Sequence, residues 1–150
     1  MIEEATETMP EVRTERAFPL YTVRQYEGGA DYHLVSDWYR SHGRGPLPEV
    51  LLPPDGFIVQ KDGQDIAAGW CYFATGIGVG HVEWIVARPG LSLAQARLAI
   101  TNLIDFIWLH AQANDYGALI CHALPALARY AEDAKCSVIS RNTTTLMRTR

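Results

Sequence analysis

The spacing of apolar and polar residues changes several times along this chain, and each change marks an element. Leu20–Tyr26 (LYTVRQY) is rich in β-branched and aromatic residues with partial alternation, which predicts a first strand. Gly28-Gly29 breaks it. From Ala30 to Ser41 the apolar side chains Leu34, Val35, Trp38 and Tyr39 fall four apart, the spacing of an amphipathic helix. Gly43, Gly45, Pro46 and Pro48 stop that helix. Leu47–Leu52 reads as a short helical turn, ended by Pro53-Pro54. Phe57–Lys61 is predicted as a strand, Asp62-Gly63 as a two-residue hairpin turn, and Asp65–Thr75 (DIAAGWCYFAT) as the partner strand. A second turn with Gly76, Gly78 and Gly80 leads into His81–Ala87. Three strands joined by short turns imply an antiparallel meander.

The second half has longer elements. Ser92 with Gln95 three residues on forms a capping box that starts a helix at Leu93 and runs to about Ala113. Arg97, Thr101, Asn102, Asp105 and His110 interrupt its apolar surface, so it reads as a buried helix and not a membrane span. Ala118–His122 (ALICH) is a short strand whose apolar run suggests a central position. Pro125 suits the first turn of a helix reaching about Ala134. Cys136–Ser140 and Thr143–Met147 are predicted as a closing pair of strands. Residues 1–17 are polar, acidic and aperiodic, and read as a flexible arm before one domain over residues 18–150. The fold class is α/β (α+β): a mixed, mostly antiparallel central sheet flanked by helices, in the order β-α-(α)-β-β-β-α-β-α-β-β.

Composition narrows the function classes. A chain of 150 residues with 48% hydrophobic and 20% charged residues can fold as one domain without a disulfide or metal. The net charge of −4 argues against a nucleic-acid surface, which needs clustered Lys and Arg. Cys71, Cys121 and Cys136 form no C-x-x-C pair and read as free thiols acting as small hydrophobes. The opening MIEEATETMPEV has no apolar signal region, so a cytoplasmic protein without a membrane segment is expected. His81 and Glu83 are two apart, with His110 and His122 on other elements, so no metal site is expected.

Two stretches carry a resemblance. One is Gly80-His81-Val82-Glu83-Trp84-Ile85-Val86-Ala87 followed by Arg88-Pro89 and the capped helix. The other is Ala126–Tyr130 (ALARY), an A-x-x-x-Y run. With the order of elements, they resemble the GNAT family of acyl-CoA-dependent N-acyltransferases over roughly residues 19–148. The chain departs from that pattern in the loop Arg88–Ala96, where only Gly90, Ala94 and Ala96 are small. It also departs near Ala123, where the family has Asn, and around Ala134–Cys136, where it has Gly-Phe. The resemblance implies acetyl-CoA or another acyl-CoA as co-substrate, and a small-molecule or protein amine as acceptor. It also implies that Tyr130 protonates the departing thiolate.

The residues themselves say what such chemistry needs. A pyrophosphate suits the unpartnered amides at a helix N-terminus, here Gly90, Leu91, Ser92, Leu93, Ala94 and Gln95. The resemblance implies that Ile85, Val86 and Ala87 meet the acyl-CoA, and a backbone N–H near Val86 or Ala87 is expected to serve the oxyanion. An alkyl ammonium must lose a proton before it attacks, and Glu83 is the first candidate base, with His81 the second. Alternation puts His81, Glu83, Ile85 and Ala87 on one face, with Val82, Trp84 and Val86 on the other. Each residue also has a plainer reading. The helix is ordinarily capped, Glu83 pairs with an Arg or reaches solvent, and Tyr130 packs. A rival reading therefore stands: a non-catalytic GNAT-fold binding or assembly protein, of a kind associated with bacteriophages. An exposed Trp38-Tyr39 region and the N-terminal arm would supply its interface, and a homodimer stays open. The acceptor pocket is expected from loops 41–56 and 75–80.

Overall fold

A computed structural model describes residues 21–123 and 125–140. In chain order these form β1 (Tyr21–Gln25), α1 (Gly28–Ser41), a 3-10 turn (Glu49–Leu51), β2 (Gly56–Lys61), β3 (Gln64–Ala74), β4 (Val79–Ala87), α2 (Leu93–Ala113), β5 (Ala118–Cys121) and α3 (Pro125–Asp133). The strands lie in the order β1-β2-β3-β4-β5. β1 to β4 pair antiparallel, and β5 joins β4 in parallel after the α2 crossover.

Each sheet face buries its own cluster. On one face, α2 and α3 cover Val59, Ile66, Cys71, Val82 and Ile85, with Ile100, Leu103, Ile104 and Ile107 from α2. On the other, Val35, Trp38 and Tyr39 of α1 pack on Ile58, Ala68, Trp70 and Val86. Trp38 and Tyr39 are only 4% and 5% exposed, so the expected exposed aromatic region does not exist. They lie on the helix face turned to the sheet, where burial of large aromatics is most favourable.

Local chemistry explains most boundaries. Asp62 and Gly63 both have positive φ (51° and 77°), the primed turn whose twist matches a hairpin. The Ser92 hydroxyl accepts from Gln95 N–H at 3.2 Å while the Gln95 side chain accepts from Ser92 N–H at 2.9 Å. That is the expected capping box, and α2 starts where it dictates. Gly28-Gly29, read as a break, is instead the first turn of α1. The Asp31 carboxylate accepts from Glu27 N–H at 2.7 Å, and both its oxygens take Arg24 at 2.8 Å. Arg24 also reaches Asp65 on β3, so β1, α1 and β3 share one charged knot.

The strict alternation expected along β4 is also corrected. The β3–β4 register shifts between Ala68 and Trp70, so Trp84 and Ile85 together oppose Gly69. Trp84 carries the extra turn at φ 58°. A β-bulge inverts the faces of everything beyond it. Val82, Ile85 and Ala87 therefore pack on the α2 side, while Trp84 and Val86 pack toward α1. A Cβ on Gly69 would come within 2.9 Å of the Leu103 Cδ2 methyl, so a side chain here would have to displace that leucine.

One further reading changes and one rests on residues outside those described. Among the described residues β5 is partnered by β4 alone, so its expected central position depends on the rest of the chain. Leu119 and Cys121 of its apolar run pack in the α2-side cluster. Cys136–Ser140 forms no strand. Lys135 has φ 61° and Cys136 N–H bonds Ala131 O at 3.0 Å, which spends the start of that run on closing α3. The proposed partner Thr143–Met147 and residues 1–17 lie outside the described residues.

Candidate active site

The sheet opens at one point. β4 and β5 are paired from Val79↔Ala118 to Val82↔Cys121, and pairing then stops. Beyond it, Glu83–Ala87 of β4 has no strand on that edge among the described residues. The Trp84 bulge falls just past the fork and turns Glu83 and Trp84 to the same side, toward α1. A cleft of about 460 Å³ lies there. Glu83, Trp84, Ile85, Tyr39, Arg44 and Leu127 line it, together with Gly45, Pro46 and Pro48 of the loop after α1. That loop falls within the expected acceptor region 41–56.

Its walls are held by specific bonds. Trp84 Nε1 donates to the Tyr72 hydroxyl at 2.7 Å, which donates to Leu51 O at 2.5 Å. The Tyr39 hydroxyl is buried without a partner among the described residues, and burial pushes its pKa above the usual phenol range. The Arg44 guanidinium lies 5.2 Å from the Tyr39 ring centroid. Glu83 Oε1 is 2.6 Å from His122 Nδ1, and the His81 ring stacks 6.4 Å from the His122 ring. Burial pushes the neighbouring Cys121 thiol up to about 12, so it stays protonated at neutral pH.

The open edge of β4 is partly occupied by the chain itself. Arg44 donates to Ile85 O at 3.1 Å, and His42 Nε2 lies 2.8 Å from Ala87 O. Arg88 N–H points the other way, to Ile66 O on β3. Strand geometry then puts the N–H groups of Ile85 and Ala87 on the open edge and those of Val86 on the β3 side. At the start of α2 the capping box takes the N–H groups of Ser92 and Gln95. Leu91, Leu93 and Ala94 N–H have no partner among the described residues, and Gly90 (φ 84°) makes the turn before them. Beside them a second cavity of about 230 Å³ gathers Lys61, Arg88, Gln64, Leu91 and Gln95.

The structure thus brings Glu83, His81 and the backbone of Ile85–Ala87 to one fork, with the α2 N-terminus at the end of the same strand. Tyr130 does not line the cleft; it packs in the cluster under α2, where its carbonyl accepts from Thr101. Sequence reading missed His122, Tyr39 and Arg44. His122 carried no signal of its own, because only the observed register, with Val82 opposite Cys121, brings residue 122 beside residue 83.

A five-stranded sheet whose fourth and fifth strands are parallel, fork just before a bulge and deliver the fourth into a capped helix is a distinctive arrangement. The chain has the GNAT acyltransferase fold. Solved structures with this GNAT fold are similar across most of the chain. A ribosomal-protein-alanine N-acetyltransferase from Brucella melitensis matches with TM-score 0.59 and 16% identity, covering 86% of this chain and 99% of that one. A glucosamine-6-phosphate N-acetyltransferase from Arabidopsis thaliana matches with TM-score 0.57 and 10% identity, covering 86% and 99%. An N-acetylglutamate synthase from Neisseria gonorrhoeae, complexed with coenzyme A and N-acetyl-glutamate, matches with TM-score 0.55 and 15% identity over 76% of this chain. The chain spans 28% of that synthase's length. No protein-family model and no curated protein matches the sequence. Among the described residues, no helix is long and apolar enough to cross a membrane.

Proposed function

We propose that this GNAT-fold chain transfers an acyl group, acetyl in the first instance, from coenzyme A to a primary amine. The observation that carries the reading is the fork between β4 and β5, with a carboxylate, Glu83, at its root and an open cleft in front. An amine nucleophile is almost wholly protonated at pH 7 and needs a base at the point of attack. The free N–H groups of Ile85 and Ala87 suit the thioester carbonyl and the oxyanion formed from it. Leu91, Leu93 and Ala94 N–H at the α2 N-terminus, flanked by Lys61 and Arg88, suit the cofactor's phosphates. Tyr130 keeps its proposed role as proton donor only if the thiolate reaches the α2 side of the fork.

Calorimetry with acetyl-CoA tests this directly. Saturable binding is expected, weakened roughly tenfold or more by Ala94→Asp, a loss of at least ~1.4 kcal/mol. No binding at millimolar acetyl-CoA would sink the reading. Acceptors worth trying follow the similar structures: glutamate, glucosamine 6-phosphate, an alanine-terminated peptide and sisomicin, the last found in a soil-metagenome aminoglycoside acetyltransferase of the same fold. The rival, a binding module without acyl chemistry, draws support from one observation. Arg44 and His42 already hold Ile85 O and Ala87 O on the edge the cofactor would use.

A further inference from the structure

Glu83 does not meet the cleft as a free carboxylate, because its Oε1 lies 2.6 Å from His122 Nδ1. Resting on the acyl-transfer reading, we propose that the acceptor's proton goes to Nε2 of His122, and that Glu83 is a positioning residue. Three observations carry this. First, Val82↔Cys121 is the last bridge between β4 and β5, so Glu83 and His122 are the first residue past the fork on each strand. The pair spans the gap where the strands part. Second, a carboxylate accepting from Nδ1–H fixes the imidazole tautomer with Nε2 bare, and no described residue engages that nitrogen. Third, the imidazole is the more exposed member of the pair and is steadied by stacking on His81.

The charged and titratable groups around it are Glu83 and His81 on β4 and Cys121 on β5. Tyr39 and Arg44 line the cleft from the α1 side. The step balances with no reactant beyond water. The ammonium first gives one proton to water; the amine nitrogen then bonds the thioester carbon as a second proton passes to Nε2, and the carbonyl electron pair moves to oxygen. When that pair returns, the C–S bond breaks and sulfur leaves with its electrons. The imidazolium then gives its proton to the thiolate, taking the part that the resemblance implied for Tyr130, and is neutral again.

The test uses thiol release from acetyl-CoA with whichever of the acceptors named above turns over fastest. His122→Gln should lower kcat about 100-fold or more with KM for acetyl-CoA unchanged, and should remove the acid limb of the pH–rate profile. His122→Ala should regain turnover when free imidazole is added, which a purely structural role would not allow. If His122→Gln keeps its rate within about threefold and the same acid limb while Glu83→Gln is inactive, the carboxylate is the base and the proposal is overturned. If no acceptor turns over, the acyl-transfer reading fails separately. Nitrogen-15 NMR of the histidines still decides the dyad in the unliganded protein. A His122 protonated at Nδ1 supports it, and one protonated at Nε2 overturns it.

Discussion

Among the described residues there are two histidine–carboxylate pairs, with carboxylates of similar exposure. In the Glu83–His122 pair, the side chains are 29% and 48% exposed at 2.6 Å; in the Asp55–His110 pair, 34% and 32% at 3.2 Å. Their surroundings differ. His122 stands where two strands part, with only another imidazole stacked on it. The His110 ring lies 5.1 Å from that of Phe57, 5.7 Å from Phe73 and 6.4 Å from Phe106. Asp55 O also accepts from Cys71 N–H at 2.9 Å, tying the approach to β2 onto β3. The same two groups thus sit beside apolar rings in one pair and, in the pair proposed to be reactive, where backbone pairing ends. Pairing geometry alone does not identify function; what lies on the unpaired side of the ring does.

The comparison can be broken by substitution. The largest stability effect should come from His110→Ala, which removes contacts with three phenylalanines. A loss of about 1–3 kcal/mol in denaturant unfolding is expected, with turnover nearly unchanged. An unmoved midpoint together with collapsed turnover would reverse the assignment of the two pairs.

A smaller effect concerns the cysteine beside each pair. Burial pushes both Cys71 and Cys121 up to about 12, from ~8.5 for an ordinary thiol. A folded pKa above the unfolded one leaves stability intact below pH ~8.5 and erodes it as pH rises toward the folded value. Stability should therefore fall between pH ~9 and ~11, and Cys71→Ala should flatten that fall. Parallel slopes in parent and variant would show that these thiols do not link folding to pH. The smallest effect should be on the stability of Glu83→Gln and His122→Gln, each within about 1 kcal/mol of the parent, because part-exposed pairs contribute little. A larger loss would mean that this pair is structural.

What could be read from the sequence follows the range of the interactions. The start of α2 was legible because Ser92 and Gln95 are three residues apart and cap each other. The Asp62-Gly63 turn was legible for the same local reason. The Trp84 bulge was not, because it is a feature of the pairing with β3, where Trp84 and Ile85 together oppose Gly69. Without the bulge, Glu83 and Ile85 seemed to share a face. Glu83 itself was readable as a carboxylate in an apolar strand, whereas its partner is 39 residues away. The start of α1 was hidden because Arg24 and Asp31 make two glycines helical through contacts that no local propensity reports.

The clasp of His42 and Arg44 on β4 has a consequence beyond any reaction. A fork that admits a ligand also leaves a run of strand unpaired, and bare strand edges recruit strands from other chains. With Ile85 O and Ala87 O already taken by an imidazole and a guanidinium, a foreign strand finds half its ladder missing and a cation in the way. The short loop after α1 thus leaves fewer open carbonyls on that edge for another strand to use.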